Sequence, residues 1–487
     1  MPIKRFYPTK DTTITNANRI SENSDAKKSN MGQSDSLEIF RVANSASTDG
    51  YEESRILLKF DASEVSSSAA SLDFPLADTK FYLRLFNVKH DKTTPSSFEV
   101  QIASMTDDFD EGHGLDMETY KDLGAANWLS SSQDNLWVHP TETIVDEDGN
   151  TIPEPLPGGG DFTLLSNPDG SSITGYFEEG TEDLLINITS HVSGSWCGAP
   201  TGLGSIMLKL PSSYTEHYTK KFFSRGTNFH FKKPCVEARW ESVVQDNGGN
   251  LFKKSSRMSE TDNTQSLYFY NWVGDELKNI PDDHDLYFRA YSTEAELNAD
   301  TNNTVNTTAT KPATGIYKVS IPSSAVDGNT YLWYKWYRNT SIYLTGNIEL
   351  RDREFSNDYR TPDYNITINN LKDKYSHGEL ANLRLSIRKR DHNLNVYTIS
   401  QPSFENDIIE SMYYKITRRA DAFEAISYGD GKDGTPKYTK LSYDTAGNYF
   451  DLDISLLEKG FMYEINFIYK IKNQHVEYKN AFKFRVE

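Results

Sequence analysis

The chain has 487 residues, room for roughly two to four domains, and 13% of them are aromatic, with 29 Tyr and 25 Phe. That bias, with abundant Ser, Thr and Asn, suits half-buried strands and argues against a helical protein. A formal net charge of −19 opposes contact with nucleic acid or anionic membranes over most of the surface.

Taken in order, 1–243 reads as a first domain. Asp11-Thr12-Thr13-Ile14-Thr15 opens it as a strand. The polar, loop-like 17–50 is broken by a strand at 36–42, with Leu37, Ile39 and Arg41 on alternate positions. A buried strand is expected at 54–61. Inward rows follow at Phe81, Leu83 and Leu85, and then at Phe98, Val100 and Ile102. Apolar rows resume at 184–188 and at Ile206, Leu208 and Leu210. The stretch 222–240 reads as a closing strand pair. In it Val236, Ala238 and Trp240 share one face, Glu237 and Arg239 the other, and Pro234 stands at the strand start, where a missing N–H is tolerated. About seven strands with long loops predict a β-sandwich of jelly-roll type. The excursion 107–177 is too long for a plain loop. It is expected to form a hairpin around Asp148-Gly149, a short helix at 116–123, and a cover over the sandwich.

A second domain is expected at 244–355, of immunoglobulin-like size, with strands at 267–272, 285–290, 315–321, 331–337 and 348–350. Leu332-Trp333-Tyr334-Lys335-Trp336-Tyr337 is aromatic enough to predict a strand buried on both faces or set against a neighbour. The remainder, 356–487, alternates at 364–371, 381–388, 397–399, 412–418, 450–454, 462–469 and 482–486, and reads as a third sandwich. The fold class is therefore all-β: three tandem β-sandwich domains, the first jelly-roll-like, the second and third immunoglobulin-like.

Chemistry has few anchors. Cys197 and Cys235 are the only cysteines; a bond between them and two reduced thiols are both open, with the thiols favoured. His113, His139, His191, His217 and His230 stand singly, without zinc spacing. Asp107, Asp108, Asp110 and Glu111 offer oxygens that suit Ca²⁺ but lack the EF-hand pattern, so solvated loop charges are the expectation and no cofactor is assigned. There is no Gly-x-Ser-x-Gly elbow and no phosphate loop. Ser224-Arg225 near His230 lacks a third partner. Two carboxylates for glycoside hydrolysis cannot be picked from so many. Trp128, Trp137, Trp333 and Trp336 are the candidate interaction residues, as platforms for a sugar or a protein partner, with core packing as the alternative. Met1-Pro2-Ile3-Lys4-Arg5-Phe6-Tyr7 lacks an apolar segment of signal-peptide type, and no run of about 18 apolar residues occurs, so synthesis in a cytoplasm and no membrane span are expected.

Several pieces carry a resemblance. Asp11-Thr12-Thr13-Ile14, Ser29 to Ile39 with its Asn30-Met31-Gly32, Ser54 to Asp61, Asn187-Ile188-Thr189-Ser190-His191-Val192, Phe222-Phe223-Ser224-Arg225 and Pro234-Cys235-Val236-Glu237 follow one another in the order of the DNRLRE-type β-sandwich family, which is related to carbohydrate-binding modules. The first half of the chain resembles that family. The excursion 107–177 exceeds its pattern, and no binding residue is carried over. The whole chain is similar to virion structural proteins of myophage-like tailed phages of marine bacteria, through its start, its Phe222 to Trp240 middle and its end at Ser442 to Asp451 and Lys483 to Glu487. The resemblance implies a non-enzymatic virion protein of neck, tail or capsid, oligomeric in the particle, with other virion proteins as partners and no nucleic acid or membrane. The alternative is a host-surface glycan-binding protein of the virion. Within that reading Arg225 pairs inside the fold and Trp240 seals one edge, both as structural closure.

Overall fold

The computed structural model describes residues 2–19, 24–25, 27–43, 51–71, 74–91, 96–117, 124–133, 135–145, 151–155, 158–198, 203–211, 218–281, 285–353, 362–390, 406–472 and 474–487. They fall into two compact units: Pro2–Glu241 with Gly429–Tyr438, and Ser242–Tyr428 with Thr439–Glu487. Both are all-β.

In the first unit, period-two alternation sorts side chains between two faces. Strands Lys80–Leu85 and Cys235–Arg239 lie side by side, with Ile3–Phe6 on one flank and Leu184–Asn187 on the other, all antiparallel. The second sheet runs Phe162–Leu164, Phe98–Met105, Ser205–Lys209, Tyr51–Lys59, Ser36–Ala43, Tyr218–Phe223, with Thr174–Phe177 and Lys10–Thr15 paired alongside. Phe81, Leu83, Leu85, Val236 and Ala238 from the first sheet meet Leu37, Ile39, Ile56, Leu58, Val100, Ile102 and Leu208 from the second. Each of the larger side chains contributes about 1.5–3 kcal/mol on burial. Two antiparallel sheets over one apolar layer make a β-sandwich.

The stretch 222–240 is not a strand pair. Tyr218–Phe223 pairs with Ser36–Ala43, whereas Cys235–Arg239 pairs with Ile3–Phe6 and Lys80–Leu85 in the opposite sheet. The connection through the turn at His230–Lys232 and Pro234 is too long for a tight hairpin and crosses between sheets instead. A helix, Ala62–Ala70, follows strand Tyr51–Lys59 where the sequence pattern predicts none. Asp61 caps it, accepting from the N–H groups of Ser63 and Glu64.

The excursion covers the outer face of the larger sheet. Phe109, Trp128 and Trp137 pack there on Ile14, Leu57, Ala103, Met105 and Met207, forming a second apolar layer. Strand Ser205–Lys209 is buried at every residue for that reason. The expected hairpin is present as Val138–Val145 paired with Thr151–Pro155; its turn at 146–150, and most of the expected helix at 116–123, lie outside the described residues. Lys220 is fully buried. The Lys220 ammonium donates to Asn87 Oδ1 at 2.7 Å and to the carbonyls of Gly180 at 2.8 Å and Glu182 at 2.7 Å, beneath the ring of Phe177.

The second unit holds two sandwiches. In one, a sheet of Gln265–Tyr270, Ile316–Ile321 and Thr310–Ala313 faces a sheet ordered Val305–Thr308, Tyr287–Tyr291, Tyr331–Arg338, Ser341–Glu349. Leu267, Phe288, Val319, Leu332 and Trp336 fill the space between them. In the other, Tyr364–Ile368, Leu380–Lys389, Gly447–Asp453 and Ser442–Asp444 form one sheet. Phe482–Val486, Met462–Ile471, Met412–Arg418 and Phe423–Ile426 lead the second, and Tyr414 stacks on Phe450 at 4.4 Å. The strand expected at 397–399 lies outside the described residues.

Candidate functional site

The motif pieces of the first unit, far apart in sequence, converge on one polar knot. Asn30 is fully buried. Its Nδ2 donates to the carbonyls of Glu111 and Ala126, and its Oδ1 accepts from the N–H groups of Gly32 and Gly114. Gly32 and Gly114 are required by contact: a Cβ on either would overlap backbone of Glu111 or Asn30. This fixes Glu111 beside Asp11 and Arg225. Glu111 Oε1 accepts from the Asp11 N–H at 2.7 Å and from Arg225 Nε at 2.6 Å, and Arg225 Nη2 closes a bidentate pair on Oε2. The Asp11 carboxylate accepts from the Arg225 N–H at 2.6 Å. Burial pushes the Asp11 carboxyl up to about 7; the Arg225 N–H bond opposes the shift and the Glu111 charge adds to it. These groups are spent on one another, as a clamp between the opening strand, the excursion and the 224–225 corner.

Asp108 and Asp110 are likewise paired, whereas burial and the nearby Asp161 charge raise the Asp107 carboxyl. Asp108 meets Lys59 Nζ at 2.8 Å, and Lys10 Nζ reaches the Phe109 carbonyl at 2.6 Å and Asp110 at 3.5 Å. No group of three or more His, Cys, Asp or Glu placed to hold a metal occurs among the described residues. His217 is outside them. Both cysteines are free thiols, and burial, with the Glu237 charge adding, pushes Cys235 up to about 11. No described helix is long and apolar enough to cross a membrane.

Strand Cys235–Arg239 carries a second polar centre. Its Glu237/Arg239 face, which alternation offers to solvent, is buried. Glu237 accepts from Arg5 Nε at 2.7 Å and from Arg239 Nε at 2.7 Å and Nη2 at 2.6 Å, with Arg84 Nη1 at 3.5 Å. Burial alone would raise the Glu237 carboxyl, but Arg5, Arg239 and Arg84 hold it well below the usual carboxylate range. The Arg239 guanidinium lies between the rings of Tyr82 at 4.7 Å and Tyr438 at 4.9 Å.

The four tryptophans named from sequence separate. Trp137 is fully buried, with Nε1 donating to the Asn127 carbonyl at 3.0 Å. Trp128 lies under the Arg55 guanidinium at 4.7 Å and against Gly158 and Gly159. Trp336 packs edge-on against Phe288 in the core. These three are not surface contacts: packing inside the fold leaves no ring face for a partner. Trp240 is buried too, tilted against Phe74 at 5.6 Å, and its N–H donates to the Pro2 carbonyl.

Trp333 differs. In strand Tyr331–Arg338, Leu332 and Trp336 go inward; on the opposite row Lys335 is buried but Trp333 and Tyr337 are only half-buried, so the expectation of burial on both faces is corrected. Register sets Tyr287 beside Tyr337, Arg289 beside Lys335 and Tyr291 beside Trp333. The Tyr287 and Tyr337 rings lie 5.7 Å apart, with the Arg289 guanidinium 4.8 Å over Tyr337. Asp300 ends helix Glu294–Ala299 in left-handed backbone (φ 52°) and presents its carboxylate to Lys335 Nζ at 2.8 Å, Arg289 Nη1 at 2.9 Å and the Tyr291 hydroxyl. Lys335, then Tyr291 and Arg289, hold that carboxyl well below its usual range. The result is an open sheet face of aromatic rings and fixed charges. Sequence reasoning found Trp333; it missed Tyr287 and Arg289, which the strand register brings alongside, and Asp300, which the end of helix Glu294–Ala299 delivers.

No protein-family model and no curated protein matches this chain. Among solved structures it aligns with trypsin-activated alpha-2-macroglobulin from Escherichia coli at TM-score 0.17 and 8% identity, over 91% of this chain and 23% of that one. It aligns with the Yersinia pseudotuberculosis adhesin InvE at TM-score 0.16 and 10% identity, over 50% and 56%, and with the chicken CNTN1 FN1-FN3 domains at 0.15 and 8%, over 82% and 98%. The chain thus spans about a quarter of the macroglobulin and just over half of the adhesin. At such TM-scores the alignments carry no argument about function.

Proposed function

We propose that this chain is a non-enzymatic structural protein of a tailed-phage virion, an adaptor or accessory subunit of the neck, tail or capsid that docks neighbouring virion proteins. The supporting observation is the half-open face of Tyr287, Arg289, Trp333 and Tyr337. Tyr, Trp and Arg are the residues that dominate protein interfaces, and here a rigid sheet presents them. The polar centres of the first unit fit the same role, since their charged groups are paired within the fold. The test is mass spectrometry and electron microscopy of purified particles. The chain should be present at a fixed copy number, and Trp333→Ala should lower its incorporation. Its absence from purified particles would end this reading.

A host-glycan reading has one feature in its favour. A cleft of about 510 Å³ opens between strands Thr174–Phe177 and Leu184–Asn187, lined by Asn167, Thr174, Tyr176, Asp183 and Asn187. An exposed tyrosine beside amide and carboxylate groups suits a saccharide. Glycan-array binding that disappears in Asn187→Ala would favour it over a purely architectural role.

A further inference from the structure

The first sandwich of the second unit ends on a strand with a free side. Ser341–Glu349 pairs with Tyr331–Arg338 and closes its sheet. At 9 residues it is the longest edge strand among the described residues. Some shorter edges carry a guard: Ile3–Phe6 has Lys4, and Thr310–Ala313 has Lys311 and Pro312. Ser341–Glu349 has no Lys, Arg or Pro, and its only charge is the terminal Glu349. Ile342, Tyr343 and Leu344 are exposed at 60%, 39% and 42%. A long row of free N–H and C=O groups flanked by apolar side chains is a template for another strand.

The geometry points to a second copy of this chain as that strand, antiparallel about a two-fold axis at Gly346, merging two four-stranded sheets into one of eight. The register follows from the faces. A bulge between Trp336 and Tyr337 leaves Leu344 to Glu349 as the regular part of the edge. Within it Leu344, Gly346 and Ile348 lie on the same face as Trp336, Tyr334 and Leu332, and Thr345 and Asn347 on that of Lys335 and Trp333. Opposed residues must share a face. Centring on Gly346 sets Leu344 against Ile348 of the other copy, twice, and Thr345 against Asn347, twice. Leu344, left open in the single chain, is then covered by an apolar neighbour. The two Glu349 carboxylates fall at opposite ends, so like charges never meet. Gly346 leaves the axis without a side chain, its own face being filled by the Tyr334 ring. Such a pairing is isologous and closed, and it uses up both free edges. It is independent of the particle reading above.

The test uses the full-length chain. By sedimentation velocity the wild type should be a dimer, and Thr345→Lys, an edge charge on the solvent face, should weaken the dimer by about tenfold or more. Thr345→Cys mixed with Asn347→Cys and oxidised should give a covalent dimer, whereas each alone should give none above the wild-type background of Cys197 and Cys235. A wild type monomeric at every concentration would overturn the proposal. So would a Thr345→Lys dimer of unchanged affinity, or cross-linking no greater in the mixture than in the single variants. The cysteine pair decides the matter even if Thr345→Lys perturbs folding.

Discussion

Glu237→Gln should destabilise the first unit severely. The Glu237 side chain is 3% exposed and lies among Arg5, Arg84 and Arg239, whose side chains are 7%, 18% and 5% exposed. Glutamine keeps the shape and two of the acceptor contacts but removes the charge. Three guanidiniums are left facing one another away from water. Removing one partner of a buried ion pair costs about 3–5 kcal/mol, which for a unit of this size lowers the melting temperature by roughly 6–20 °C. Because the chain has two units, the measurement should report the first alone; native-state hydrogen exchange at strand Cys235–Arg239 does so. The pH dependence supplies a second check. The folded carboxyl is depressed, so its stabilisation is present above the ordinary glutamate range near 4.5 and is lost as pH falls towards the folded value. The gap between wild type and variant should therefore narrow below about pH 4.5. A Glu237→Gln protein within about 1 kcal/mol of wild type at neutral pH would refute the account, because the arginines would then be solvated or paired elsewhere.

Asp11 should show the opposite sign. Its folded carboxyl is raised from 3.8 to about 7, so folding favours the protonated form, and this contribution is full below about pH 4 and declines as pH rises to about 7. Asp11→Asn should remove that decline and be more stable than wild type at pH 8, by at most about 4 kcal/mol, read as a shift in urea midpoint; an unchanged pH profile would count against it. Trp137→Ala should cost about 3–5 kcal/mol by calorimetry, whereas Trp333→Ala on the half-open face should cost much less; equal losses would show that Trp333 is core. A thiol reagent should modify Cys197 before Cys235 in the native protein, since Cys235 is buried and its thiol pushed up to about 11; equal rates by mass spectrometry would contradict this.

The inward rows were legible because a one-sided strand writes its burial into alternate residues, as Phe81, Leu83 and Leu85 do. The same logic misled at Glu237 and Arg239, where alternation looks like a solvent face but three arginines and two tyrosines make it an interior one. Such a face needs partners from Arg5, Arg84 and Tyr438, far away in sequence. Helix Ala62–Ala70 is built of small residues with a weak apolar stripe, and its one clear signal was the cap, Asp61 with Glu64 at the third position. The tryptophans were ambiguous because residue type does not separate an anchor from a core filler. Strand parity did so for Trp333 and Trp336, while Trp128 and Trp137 required the fold of the excursion. The Asp11–Asn30–Glu111–Arg225 knot is half legible: Asp11, Asn30 and Arg225 stand in recognisable motifs, but nothing in the sequence separates Glu111 from the solvated loop charges beside it.

Lys220 has a consequence for the surroundings this protein tolerates. Its ammonium sits among three oxygens, from Asn87, Gly180 and Glu182, a set that elsewhere would suit a dissolved cation. Here the positive charge is tethered covalently to a strand and cannot be washed out. Dialysis, chelators and swings in ambient calcium should therefore leave this corner of the sandwich undisturbed, and its cohesion is inherited with the gene rather than borrowed from the medium.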